Sequence, residues 1–194
     1  MFGAAAALFV AEVVRNALVE AFAHADFPEQ LAVKVEQLPV IFPIHMVSGA
    51  LALVLIPLAI LVRRSPRLHR PLARIAAVDV MIAGVTAFPV AWVNPVTGWS
   101  GAGFMAQTAT WLTLLVLGLW HIRNGRRARH RRAMLLMAAT ASGAIFFRIY
   151  LALWAILGER HGFALFYSID SWIAWLGPLG LTAYGLKRGW RILL

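Results

Sequence analysis

The chain has 194 residues, 61% of them hydrophobic and only 13% charged, with 18 Lys and Arg against 8 Asp and Glu, a net charge of +10. Soluble domains are about half apolar and about a quarter charged, so lipid is the expected solvent for most of this surface and no stretch remains for a separate soluble domain. Cysteine is absent, which excludes disulfides, thiolate metal sites and thiol nucleophiles.

Six apolar stretches are long enough to cross a bilayer core. They cover residues 2–23, 44–62, 74–93, 102–120, 133–157 and 164–186. The expected fold is therefore all-α, a single integral domain forming a six-helix transmembrane bundle. Fourteen of the eighteen basic residues fall in three acid-free places: 63–74, 123–132 and 187–191. These follow the second, fourth and sixth spans. That spacing is the positive-inside pattern, not a nucleic-acid patch, and it puts both termini in the cytoplasm. Arg63, Arg64, Arg67, Arg70, Arg74, Arg123, Arg126, Arg127, Arg129, Arg131 and Arg132 then face anionic lipid headgroups.

The first span is interrupted by Glu12, Arg15 and Glu20. Its end, Ala-Phe-Ala-His-Ala, loosely matches a signal-peptidase site. A signal peptide needs a basic start and an unbroken apolar centre, so this stretch is read as a retained span. Glu12 and Arg15 are three apart and share a helix face, where they can pair and point into the bundle. Residues 24–43 read as a short amphipathic helix on the outer surface, opened by Pro28, with Leu31, Val35 and Leu38 on one face. His45 opens the second span and Pro57 is expected to kink it. The third span starts after Pro71, holds Asp79 and bends at Pro89. Trp92 and Trp99 flank a Gly, Pro and Ser-rich outer turn, where an interfacial aromatic belt belongs. The fourth span carries Gln107, Thr108 and Thr110. The fifth contains the small-residue run Ala138 to Gly143, which favours close helix packing. The sixth holds Asp170, Trp172, Trp175 and the Gly177-Pro178 break.

Two intramembrane groups invite chemistry. Arg148 lies some fifteen residues from the inner end of its span, roughly 22 Å up, and Asp170 lies about 9 Å down from the outside. The depths match. A buried arginine costs about 2.5–3.5 kcal/mol even on the lenient insertion scale, so an Arg148–Asp170 ion pair is expected, with Glu20 as the alternative acid. His45, Tyr150, Tyr167 and Trp172 could line an outer polar site at that level. Asp79 lies about 12 Å from the inner surface, near the depth of Thr140 and Ser142, with Arg15 as another partner. A lone intramembrane carboxyl points to proton relay.

The histidines raise haem b, which membrane cytochromes hold between paired imidazoles. His69 and His130 occupy matching inner positions, His121 is near, and His45 stands near the outside without a histidine opposite it. The first alternative is that interface histidines bond to headgroups or cap helices. His69-Arg70 and His130-Arg131 each open a span after an Arg-rich loop, which gives a weak internal echo. No phosphate loop, zincin motif or nucleophile elbow is present, so no catalytic residue is assigned.

The order of His45 with Gly49, the run Arg67 to Arg74, Gly103-Phe104, Trp111, His130 to Met134, Arg148, Tyr167 and Trp172 resembles a bacterial multi-pass family. That family is catalogued as domain of unknown function 2306, and the resemblance covers most of the chain. It implies an inner-membrane helical bundle and no established activity. The tryptophans of the sixth span stand where the family suggests an asparagine. Small size and absent catalytic motifs favour a non-enzymatic accessory or assembly subunit of a larger membrane complex. Alternatives are a haem-binding electron-transfer protein and a small anion or proton transporter.

Overall fold

In the computed structural model the described residues are 8, 11–16, 19, 34–93, 96–158 and 162–189, and their regular elements are helices. The chain divides into two compact units, residues 1–95 and 96–194.

The first unit is organised by a helical hairpin of α1 (Ile41–Leu61) and α2 (Pro66–Trp92). α1 runs on through Pro57, and a 3-10 turn, Val62–Arg64, leads it into the hairpin. α2 starts at Pro66, well before the expected 74. Pro66 occupies the first turn, where its missing N–H costs nothing, after an extended Ser65. The basic residues that follow are good helix formers, so the helix begins in the charged segment. His69 Nδ1 meets the Ala59 carbonyl at 2.9 Å, and His45 Nδ1 meets the Ala83 carbonyl at 3.1 Å. The helices are therefore antiparallel and in constant register along their length. α2 turns Ala76, Asp79, Val80, Ala83, Gly84, Ala87, Val90 and Ala91 inward, a repeat of three and four residues.

The second unit comprises α3 (Gly98–Arg123), α4 (Arg127–Ala141), α5 (Gly143–Leu157) and α6 (Phe163–Arg188). Thr97 caps α3, accepting from the Ser100 N–H at 3.0 Å. Gly125, at φ 70°, turns the chain from α3 into α4. Gly162 (φ 83°) and Gly189 (φ 70°) bound α6.

The expected fifth span, 133–157, is two helices. Thr140 Oγ1 and Ser142 Oγ donate back to the Leu136 and Ala139 carbonyls at 2.9 and 2.7 Å. Such back-bonding bends helices, and here the α-helix stops at Ala141 and resumes at Gly143.

Among the described residues four stretches are long and apolar enough to cross a membrane: Ile41–Arg64, Pro66–Trp92, Gly98–Arg123 and Arg127–Leu157. They correspond to the second to fifth of the six expected spans. α6 has the length, with 26 residues, but Ser168, Asp170, Ser171, two tryptophans and Gly177-Pro178 lower its apolarity. Most of the first span lies outside the described residues. Within it Arg15 Nε donates to Glu12 Oε2 at 3.0 Å, so the expected pair forms. It is exposed rather than turned inward, with side chains 64% and 53% accessible. Of the outer amphipathic helix, Lys34 to Gln37 are described and helical; Pro28 and Leu31 lie outside the described residues.

A polar belt at a broken helix in the second unit

The break between α4 and α5 is the meeting point of all four helices of the second unit. Gln107 on α3 donates from Nε2 to the Thr140 carbonyl at 3.0 Å, beside the interruption. Gly143 admits no side chain: a Cβ there would lie 2.6 Å from the Trp175 Cβ and 2.7 Å from the Gln107 Nε2. Gly103 brings α3 equally close to α6, since its Cβ would lie 2.6 Å from Ser171 Oγ and 2.9 Å from the Ser171 carbonyl. Small residues permit such backbone approach, which replaces hydrophobic association inside lipid. Thr140, Asp170 and Ser171 are fully buried.

Above the break is an aromatic cluster. Phe104, Phe147 and Tyr167 meet edge to face, with ring centroids 5.2 to 6.0 Å apart, the arrangement aromatic quadrupoles favour. Trp172 stacks obliquely on Trp99 at 5.2 Å and donates from Nε1 to the Trp99 carbonyl at 3.2 Å. Thr97 Oγ1 and Ser168 Oγ bond at 2.7 Å. Tyr167 and Trp172, both expected at an outer polar site, are therefore tied to α3. Tyr150 lies beside Phe146, one turn back on its own helix. His45 belongs to the first unit.

The direct Arg148–Asp170 ion pair is not formed. Both Asp170 carboxyl oxygens lack a hydrogen-bond partner among the described residues, and Arg148 Nη1 donates at 3.0 Å to the Ala144 carbonyl of its own helix. Trp154 stacks on Phe166, Phe147 meets Tyr167, and Gly143 meets Trp175, so α5 and α6 are antiparallel with Arg148 and Asp170 almost level. The two residues stand level, but their side chains take different directions. Helical Cα–Cβ bonds lean toward the helix N-terminus, so on antiparallel helices the two side chains lean apart along the helix axes. Glu20, the alternative acid, lies outside the described residues.

In the first unit Asp79 is 8% exposed, and its Oδ2 lacks a hydrogen-bond partner among the described residues. Its expected partners are engaged elsewhere: Thr140 and Ser142 with backbone carbonyls, Arg15 with Glu12. The hairpin register sets Asp79 level with Gly49, where an added Cβ would meet nothing within 4 Å. Thr86 Oγ1, which donates to the Ile82 carbonyl, lies 3.4 Å from His45 Nδ1.

His69 and His130 are hairpin fasteners. Each sits at the fourth position of its helix and donates from Nδ1 to a carbonyl of the preceding helix, Ala59 and Gly118, both at 2.9 Å. This reproduces the internal echo of the sequence, each imidazole meeting a main-chain carbonyl of the preceding helix. His121 packs against Trp120, with ring centroids 4.9 Å apart. Among the described residues no three of His, Cys, Asp and Glu gather as a metal site would require. Of the residues central to the belt, Ser171 had no assigned role; Gly143 lies in the small-residue run expected to pack closely, and Gln107 is among the polar groups of the fourth span able to bond between helices. A lone glutamine facing a small-residue run was the available signal.

Long apolar helices, glycine-mediated contacts and polar groups satisfied between helices define a helical integral membrane protein. Residues 42–185 match the model of the predicted membrane protein family DUF2306, and the chain belongs to that family. No curated protein and no solved structure matches it.

Proposed function

We propose that the protein is a non-enzymatic carrier that moves protons across the bilayer, with Asp170 as the carrying carboxyl. The observation behind this reading is the state of Asp170: fully buried, with both oxygens lacking hydrogen-bond partners among the described residues. An intramembrane acid is costly and marks ion or proton pathways by default. A carboxyl tied to an arginine could not readily release and recapture a proton; among the described residues no arginine bonds to the Asp170 oxygens. The neighbouring break supplies polar backbone at depth, which membrane proteins tolerate only inside protein or along a cavity. Asp79 provides a second carboxyl of the same kind in the first unit. In this reading α6 and the first apolar stretch also span, giving six crossings of a bacterial inner membrane. The arginine-rich turns and both termini then face the cytoplasm.

The test is proton flux into liposomes containing the purified protein, driven by a potassium diffusion potential and read with an entrapped pH dye. Flux above protein-free vesicles, lost in Asp170→Asn and retained in Glu36→Gln, is expected. Equal flux in Asp170→Asn, or none in the wild type, removes the reading.

A second reading, haem b ligated at His69 or at His130, has one observation in its favour. A carbonyl holds each Nδ1–H, leaving Nε2 as the lone-pair nitrogen, the arrangement of metal-ligating histidines. A Soret band after expression with ample haem, lost on His130→Ala or His69→Ala, would replace the carrier reading. An accessory role in a larger complex predicts a stoichiometric partner after mild extraction.

A further inference from the structure

The turn joining α3 to α4 concentrates cations to a degree that folding does not require. Arg123, Arg126, Arg127, Arg129, Arg131 and Arg132 fall within ten residues, and no acid occurs between residues 120 and 158. The turn is also held in shape. Arg126 N–H donates to the His121 carbonyl at 2.9 Å, Arg127 N–H to the Gly125 carbonyl at 3.0 Å, and Asn124 Nδ2 to the Trp120 carbonyl at 2.8 Å. His130 fixes the start of α4 to the Gly118 carbonyl. On this frame the Arg126 guanidinium lies 5.0 Å over the Trp120 ring, and the Trp120 ring lies against His121. Arg126 and Arg129 are near enough to act electrostatically on the His121 imidazole. His121 Nδ1 is shielded from solvent yet has no hydrogen-bond partner among the described residues.

We propose that this cluster, Trp120, His121, Arg126 and Arg129, is a binding site for one phosphodiester anion, delivered as the headgroup of an anionic phospholipid. Like charges fixed this close repel one another, and an anion between them relieves that repulsion. Guanidinium groups match phosphate oxygens geometrically. His121 adds a donor, and Trp120, 49% exposed, is the amphipathic ring that sits at headgroup level. The apolar lengths of α3 and α4 lead away from the site, so acyl chains can follow them. The other arginine-rich turn, 63–74, is also held in shape, by the Ser65 N–H on the Val62 carbonyl at 2.9 Å and by His69 on Ala59, but no tryptophan, tyrosine or phenylalanine occurs within it. It attracts anionic headgroups diffusely.

The two turns provide the experiment. The full chain, purified in a neutral detergent, is titrated with short-chain phosphatidylglycerol, with phosphatidylcholine of the same chain length and with glycerol phosphate. Thermal stabilisation is read from tryptophan fluorescence. Phosphatidylglycerol stabilises with a saturable midpoint, and the other two do not. The double variant Arg126→Ala/Arg129→Ala, whose unliganded melting temperature serves as the folding control, raises that midpoint about thirtyfold. Arg63→Ala/Arg64→Ala leaves it within about twofold. Arg126→Lys/Arg129→Lys, which keeps the charge and loses the planar fork, shifts it by an intermediate amount. Equal shifts from the two alanine pairs, or no shift from either, overturn the site. Stabilisation by glycerol phosphate at comparable concentration overturns the lipid assignment in favour of a free phosphate ester.

Discussion

Gln107 Nε2 and the Thr140 carbonyl are 3.0 Å apart, joining α3 to α4 two residues before the helix is interrupted at Ser142. The bond supplies from a neighbouring helix what the interrupted helix cannot give its own carbonyl. Gln107→Leu keeps the volume and removes the donor. It should destabilise the protein by about 1 kcal/mol, within the range for hydrogen bonds between membrane helices. Reversible unfolding in mixed micelles measures it, and an unchanged midpoint would show the carbonyl to be satisfied without the glutamine.

Gly143→Ala places a methyl 2.6 Å from the Trp175 Cβ and 3.0 Å from its Cα. Backbone cannot yield as a flexible side chain can, so α5 must move away from α6. A loss of about 1–3 kcal/mol is expected, the usual cost of overpacking. Gly180→Ala is the contrast, since nothing lies within 4 Å there. That change should be neutral or gain about 0.5–1 kcal/mol through helix propensity. The two unfolding midpoints should move in opposite directions or differ by the overpacking cost.

Asp170→Leu replaces a fully buried carboxyl, without hydrogen-bond partners among the described residues, with an apolar group of the same branched shape. If Asp170 is kept for function, the protein should become more stable by about 1–3 kcal/mol, the cost of leaving a buried polar group unsatisfied. Proton flux should fall to the protein-free level. A destabilised Asp170→Leu would instead assign the carboxyl a structural bond.

Lys34 lies outside the spans and is 7% exposed, and burial holds its ammonium below the usual lysine pKa. The unfolded chain therefore binds more protons than the folded chain between the two values, and stability must rise with pH across that window. The burial penalty is fully present below the folded pKa and is relieved on approach to the unfolded one. Thermal midpoints from pH 8 up to the ordinary lysine value of 10.5 should rise more steeply in the wild type than in Lys34→Met. Parallel curves would show that the ammonium reaches water.

Helix placement was legible because apolar length dominates it: Ile41–Leu61, Pro66–Trp92 and Gly98–Arg123 each contain or closely track an expected span. The helix starts were misjudged where basic residues, helical despite their charge, continued an apolar helix past the lipid. The break at Ser142 was not legible. No proline marks it; the Thr140 and Ser142 hydroxyls that bond back to carbonyls are common in unbroken helices too, and Gln107 and Trp175, which meet the break, are distant in sequence. Among site residues, depth could be counted from the sequence, so Arg148 and Asp170 were correctly set level. Side-chain direction could not be counted: Arg148 turns to the Ala144 carbonyl of its own helix, and that acceptor has no sequence signature. His69 and His130 were singled out for position. Their partners, main-chain carbonyls with no sequence signature, became visible only once the hairpins were folded.

The imidazole fasteners carry a consequence for what can undo them. Each ties the first turn of one helix to a main-chain carbonyl of the helix before it, Ala59 for His69 and Gly118 for His130. Every residue brings such an acceptor whatever its side chain. Each latch can therefore be lost by replacing its histidine, but not by removing a side chain on the opposite helix.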